Sequence, residues 1–282
     1  MLRDKSSTDI RCRIRIATEA DQGYEHIVAR VAELIQMMEK ELGEECPVLG
    51  IGTPGAEEPS TGLMKNCNTT VLNGKPLPSD LRRALGRQVI VANDANCFAL
   101  AEAKLGSARG FRIVFGVIMG TGVGGGVVID GHVLSGAQGI AGEWGHNVLE
   151  PDGRPCYCGK RGCVETVLAG PNLQRFYTQL SGTQRSLKEI TGLAERGEDA
   201  VAIETIDRLC RKFGEGLSVV VNILDPDAIV LGGGVGNIKA LYDQGRSELR
   251  RWIFNPHPTI NLLKPQLGDS AGVFGAAHLC IL

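Results

Sequence analysis

The pattern of apolar runs predicts an α/β protein of two domains. Three observations carry this. Strand-like runs alternate with helical ones from residue 10 to residue 106. Glycine is abundant, at 38 residues, but sits at the ends of apolar runs, where it punctuates elements rather than forming a linker. A length of 282 residues is enough for two ordinary domains and a substantial core.

Residues 10–18, IRCRIRIAT, alternate apolar and basic side chains as a half-buried strand does. A helix follows, with Ile27, Val31, Leu34, Ile35, Met38 and Leu42 on one face. VLGIGTPG (48–55) reads as a short buried strand ending in a turn. PLPSDLRRALG (76–86) reads as a short helix capped by Ser79 or Asp80. QVIVAND (88–94) is a strand, and CFALAEAKLG is the helix after it. From residue 112 the texture changes to strand, Gly loop, strand: RIVFGVIMG, GTGVGGG, VVIDGHVL. Helices are expected across 165–222. NILDPDAIVLGGG (222–234) is then a turn, a buried strand and a second Gly loop, leading into the helix NIKALYDQGRSELRR. LGDSAGVFGAAHL closes the chain with a turn and an apolar helix.

An apolar fraction of 43% and a charged fraction of 22% are those of a soluble globular protein. A net charge of -2, with no basic stripe, argues against nucleic-acid or anionic-membrane binding. Of the short basic groups, Arg250-Arg251 reads as solvated surface, whereas Lys160-Arg161 lies in the cysteine-rich stretch, where its charge could serve only to keep a loop wet. Nine cysteines is an odd number, and Cys12, Cys46, Cys67, Cys97, Cys210 and Cys280 are far apart, which does not suit a disulfide framework. The first residues lack the apolar core of a signal peptide, and no run is long enough to span a membrane, so the expected location is cytoplasmic.

His146, Cys156, Cys158 and Cys163 fall within eighteen residues. Three thiolates and an imidazole match the tetrahedral ligand set of closed structural zinc sites. Glu143 and Glu165 flank the cluster, so a zinc clamp would fix two carboxylates that a flexible chain would leave apart.

Gly120, Gly122 and Gly125 satisfy G-x-G-x-x-G, but the run that follows is β-like. The expectation is therefore a phosphate-cradling turn between antiparallel strands, built from backbone N–H groups and the Thr121 hydroxyl. Gly232, Gly233 and Gly234 lie between a buried strand and a helix, a place for a flat ligand or a phosphate, or simply a tight turn. Asn93-Asp94-Ala95-Asn96 ends a strand, where α/β sheets place their ligands. Asp94 there could accept a proton from an attacking hydroxyl, cap the next helix, or do both. Asn66, Asn68 and Asn73 suit a sugar rich in hydroxyls, or are turn residues.

Taken together these motifs, most specifically E-x-G-H at 143–146 and C-x-C-G-x-x-G-C-x-E at 156–165, resemble the ROK family of sugar kinases from about residue 14 onward. KNCNTTVLNGKPL, with EWGHN and VNILDPDAIVLGGG, resembles most its bacterial fructokinase/mannokinase branch. The resemblance implies an actin/hexokinase-like (ribonuclease H-like) two-domain fold. Residues 1–95 would form a small domain completed by the C-terminal helix of 264–282, and 96–263 a large domain with the zinc loop. It implies transfer of the γ-phosphoryl of Mg-ATP to a sugar hydroxyl, with fructose the expected substrate. The alternatives are an N-acetylglucosamine or broad glucose/mannose kinase, or a sugar-binding protein with impaired catalysis. Asp94 would be the catalytic base, and Asn68, Asn93, Glu143, His146 and Glu165 sugar ligands. Gly120, Thr121 and Gly122 would cradle phosphates and Gly232, Gly233 and Gly234 would line the adenosine side. His146, Cys156, Cys158 and Cys163 would hold Zn²⁺, alongside Mg²⁺ and ATP. A homodimer is implied as well.

One family motif, D-x-G-G-T on an N-terminal β-hairpin, is not present in these residues. Asp21-Gln22-Gly23 offers only D-x-G before a helix. The first domain is accordingly expected to lack its first two strands, with Met1 a late start or a truncation. Codons for D-x-G-G-T upstream of Met1 would bear this out.

Overall fold

The computed structural model describes residues 9–281. Its first regular helix, α1 (Tyr24–Leu42), follows a 3-10 turn at Ala20–Gln22, and Gly23, at φ 97°, makes the break between them. The D-x-G of residues 21–23 is thus an ordinary entry into a helix. Tyr24 and Ile27 bury the inner face of α1 against α2 (Leu77–Leu85), where Leu77 and Leu81 are buried.

The expected strand at 10–18 is not found as such. Ile14 and Ile16 are half-buried and Arg13 and Arg15 exposed, so the alternation of burial holds. Within this stretch, though, only Ile10 makes an isolated bridge, and 12–19 join no ladder. Alternation supplies a face; a strand also needs a partner for its N–H and C=O groups. Here the Ala17 carbonyl accepts from the Arg30 guanidinium at 3.2 Å instead. The expected cap of α2 also differs. Its N-cap position is Pro76 without a side-chain bond, and Asp80 accepts from the Tyr24 hydroxyl at 2.5 Å.

β1 (Val48–Thr53) and β4 (Gln88–Asn93) pair in parallel, with Thr53 opposite Asn93. Between them lie the short antiparallel pair β2 (Ala56–Glu57) and β3 (Met64–Lys65). A second sheet has the order β7-β6-β5-β8-β9, from β5 (Ile113–Met119), β6 (Val123–Ile129), β7 (His132–Val133), β8 (Ala228–Gly232) and β9 (Leu262–Leu263). β5 runs antiparallel to β6 and parallel to β8.

α3 (Asp94–Lys104) and α10 (Ala271–His278) pack on each other between the two sheets. Glycine makes this approach possible. A Cβ on Gly275 would stand 1.7 Å from the Cys97 carbonyl oxygen, and one on Gly50 of β1 1.7 Å from that of Ala276. Glu102 of α3 is fully buried, and its carboxylate accepts from the N–H groups of Ser107 (2.9 Å), Gln266 (3.0 Å) and Leu267 (3.0 Å). These donors tie α3 to the loop leading into α10.

On the other face of the large sheet lie α4 (Val164–Leu168), α5 (Gly170–Ser181), α6 (Leu187–Glu195) and the long α7 (Ala200–Leu224). Asp199 caps α7 by accepting from Val201 and Ala202. Leu209, Phe213 and Leu217 of α7 join Phe115, Trp144 and Leu231 in the main core. The helix expected at 237–251 is interrupted. After the short α8 (Gly233–Gly236) the chain forms a π-helical turn at Leu241–Gly245, and only Arg246–Arg250 (α9) is α-helical.

Candidate active site

Asp94 stands where β4 ends and α3 begins, so the parallel sheet delivers it to a C-terminal strand edge. The N–H of Ala95 is shared by two carbonyl-type oxygens, Oδ1 of Asn93 and Oδ1 of Asp94, each at 2.8 Å. Asn93 therefore caps α3 while sitting beside Asp94. Asp94 is open to solvent at its surface, yet the protein around it partly desolvates the carboxyl and raises its pKa above the usual aspartate range.

Glu143 precedes the one-turn 3-10 helix Trp144–His146. Burial raises its pKa; His146 opposes the shift, and the charges of Asp94 and Glu165 add to it. Glu143 thus lies within reach of the charges of both Asp94 and Glu165, although of the three it alone lines the large cavity described below. Trp144 fixes this turn: its indole N–H donates to the Gly124 carbonyl at 3.0 Å, and its ring meets Phe115 edge-on at 6.2 Å.

Glu165 lies in the first turn of α4. Its Oε2 accepts from the Val123 N–H at 2.9 Å, at the exit of the hairpin that joins β5 to β6. A Cβ on Gly122 would come within 2.6 Å of the same oxygen.

The Gly loop is shorter than the sequence suggests. Gly120, Thr121 and Gly122 form the turn, closed by the Gly120 N–H donating to the Gly122 carbonyl at 2.9 Å. Gly124, Gly125 and Gly126 belong to β6. A Cβ on Gly125 would meet Phe115 at 2.7 Å, and one on Gly126 the Ala95 carbonyl at 2.6 Å, so these glycines serve close packing. The second glycine run adjoins this turn. Gly232 ends β8 opposite Ile118, and Gly233, at φ 78°, places its Cα so that a Cβ would sit 2.3 Å from the Met119 carbonyl oxygen. Gly170, at the start of α5, completes the group by donating its N–H to the Gly120 carbonyl at 2.8 Å. Sequence reasoning missed Gly170, whose one signal is Gly-Pro at a helix start.

Nδ1 of His146 and the sulfurs of Cys156, Cys158 and Cys163 all lie within 4.8 Å of one another. The pairs His146–Cys156 and Cys158–Cys163 are each 3.6 Å apart. A tetrahedron of ligands at zinc–sulfur distance has edges of about 3.8 Å, so the set fits such an ion. Tyr157, between two of these cysteines, was also missed. Its hydroxyl is 3.0 Å from His146 Nε2, and its ring stands edge-on to the imidazole at 5.1 Å.

A cavity of about 1010 Å³ reaches Glu143, His146, Tyr157 and Lys160 from one side and Lys65, Asn66 and Asn73 from the other. Asn68 is exposed and does not line it. Asn73 is engaged as a turn residue, accepting from the Cys67 N–H at 2.8 Å and donating to its carbonyl at 3.1 Å.

Known proteins are similar to this chain in sequence and in fold. The chain is 36% identical over 277 residues to an N-acetyl-D-glucosamine kinase of Photobacterium profundum, covering 95% of this chain and 90% of that one. Its structure is similar to that of the ROK hexokinase from Thermus thermophilus, with a TM-score of 0.81 and 35% identity, covering 91% of this chain and 86% of that chain. It is also similar to a ROK family glucokinase from Streptomyces griseus in complex with glucose and AMPPNP, with a TM-score of 0.76 and 30% identity, covering 91% and 88%. The α/β fold is thus the hexokinase-like one expected from the sequence. A ROK family model matches residues 2–281, and with that span and these relatives the chain belongs to the ROK family.

Proposed function

We propose that the chain is an ATP-dependent sugar kinase whose substrate is N-acetylglucosamine. The observation that carries the reading is that Glu143 feels the charges of both Asp94 and Glu165, with Glu165 bonded to the hairpin that carries Gly120–Gly122. Asp94 takes the proton of the attacking sugar hydroxyl, and its raised pKa makes it a better base than an ordinary aspartate. Glu143, Glu165, His146 and Asn93 hold the remaining hydroxyls, with Asn68 at the rim.

Gly120, Thr121 and Gly122 cradle the phosphates of ATP, and Gly232, Gly233 and Gly234 line the nucleoside side. A Cβ on Gly234 would meet nothing within 4 Å, which leaves its backbone open to a ligand. Bound Mg²⁺ would supply charge neutralisation on the phosphates; the protein supplies in-line positioning. His146, Cys156, Cys158 and Cys163 hold a structural Zn²⁺ that fixes the loop between Glu143 and Glu165.

The sequence led to an expectation of fructose. The Photobacterium relative is named for N-acetyl-D-glucosamine, and that name supports the substrate proposed here. A second reading is sugar binding without turnover. A coupled ADP-release assay on N-acetylglucosamine, glucose, mannose and fructose, run beside a sugar-binding titration, tests both. Turnover fastest with N-acetylglucosamine upholds the first reading. Binding without ADP release with every sugar upholds the second. The homodimer is part of this proposal and is read by sedimentation velocity.

A further inference from the structure

The back of the zinc loop carries a concentration of positive charge that the kinase reading does not use. A separate cavity of about 280 Å³ is lined by four guanidinium groups, Arg154, Arg161, Arg175 and Arg208, against two carboxylates, Glu150 and Asp152. The whole chain is acidic, at -2, so this excess is local. It is also brought together by folding, since the arginines come from the zinc loop, α5 and α7.

The wall of the cavity is built rather than merely charged. Arg208 is held in place by Phe176, whose ring lies 4.5 Å below its guanidinium, and by Glu150 at 2.7 Å. Glu150 also lies 3.7 Å from Lys212, so its charge is already divided between two cations. Arg175 donates to Oδ1 of Asn172 at 2.8 Å, a neutral partner. Among the described residues, neither Arg154 nor Arg161 has an ion pair or a side-chain hydrogen bond. Their backbones are nonetheless fixed: Pro155 and Arg161 form an antiparallel bridge, and the Arg154 carbonyl accepts from the Gly162 N–H at 2.7 Å.

Arg154, Arg161 and Arg175 are exposed along this wall, two without a protein partner among the described residues and the third with only a neutral one, so their guanidiniums are available to an anion from solvent. Planar N–H forks match the oxygens of a phosphate, two at a time. The volume accommodates a phosphate group with a small organic portion. We propose that this cavity is a second ligand site, outside the sugar cleft, that takes a phosphomonoester dianion. Its position gives the ligand a lever on the cleft. Asn172 accepts from Arg175 and, through Nδ2, donates to the Glu165 carbonyl at 2.9 Å. An anion that draws on Arg175 therefore acts on the residue that anchors Glu165.

The test is calorimetric titration of the zinc-loaded full chain, saturated with a non-hydrolysable ATP analogue, at a fixed salt of about 0.1 M. Inorganic phosphate and a hexose 6-phosphate are the two probes. One saturable site is expected with at least one of them, and the tighter probe identifies the source. Arg161→Gln and Arg175→Gln should each weaken it about tenfold, the loss of one charge-assisted contact. Arg154→Gln is the third variant, and only proteins of unchanged zinc content and unchanged affinity for the analogue are compared. No saturable binding of either probe, or a dissociation constant unmoved by the variants, overturns the proposal. Absence of sugar turnover would sink the kinase reading alone and leave this titration as informative as before.

Discussion

The Glu165 carboxylate accepts the backbone N–H of Val123 at 2.9 Å, so an acid anchored beside the cysteine loop is bonded to the hairpin that carries Thr121. In the proposed site this bond gives the sugar side and the phosphate side of the cleft one shared link. Gly122 shows how tight it is, since a methyl group there would come within 2.6 Å of Glu165 Oε2. Gly122→Ala is expected to raise KM for both sugar and ATP, where a hairpin serving one substrate alone would change a single constant. Steady-state kinetics with each substrate varied in turn checks this.

Asp94→Asn should lower kcat by about 10²- to 10⁴-fold, the usual contribution of a general base, with a much smaller change in sugar affinity. Desolvation raises the pKa of Asp94 in the fold above its unfolded value. The folded state therefore binds this proton more tightly, and the charge opposes folding once the pH exceeds the raised pKa. The variant should thus melt no lower than the parent at neutral pH. The acid limb of kcat/KM should lie above the ordinary aspartate pKa of about 3.9. A clear fall in Tm for Asp94→Asn would contradict the assignment.

Removal of the metal should act on the sugar more than on the nucleotide. Treatment with a strong chelator, or Cys163→Ser, is expected to release one equivalent of zinc and to raise sugar KM, because Glu143 and Glu165 flank the loop it fixes. Elemental analysis and a sugar titration read the two effects. A second-site variant, Tyr157→Phe, removes the hydroxyl next to His146 Nε2 and leaves the four ligands in place. It should keep the zinc while changing sugar KM.

Glu102→Ala is expected to cost about 3 kcal/mol or more. It would leave the N–H groups of Ser107, Gln266 and Leu267 without their acceptor, at roughly 1–3 kcal/mol for each buried unsatisfied group. Chemical denaturation measures the loss. Glu102→Gln keeps one acceptor oxygen and should fall between the two.

Much of this site was legible because its parts are close in sequence. The four proposed metal ligands lie close together in sequence, and the strand–helix junction at Asn93-Asp94 follows from the pattern alone. The roles of other residues depended on distant neighbours. Gly124–Gly126 read as loop, yet they belong to β6 because Ala95 and Phe115 come so close to it. Residues 10–18 carry the right alternation, but pairing is decided by another segment's backbone, which periodicity does not encode. Asp80 looked like a cap and was instead taken by Tyr24, 56 positions earlier. The arginine cavity was invisible for the same reason, being assembled from the zinc loop, α5 and α7.

Trp144 has a practical consequence. It is one of only two indoles in the chain, it is 3% exposed, and it adjoins Glu143 in the wall of the cleft. The other, Trp252, is half in solvent. Ultraviolet excitation should therefore give two separable emissions, with iodide quenching the red-shifted one. If the proposed sugar site is right, the blue-shifted remainder should change on carbohydrate binding and so report occupancy without a label.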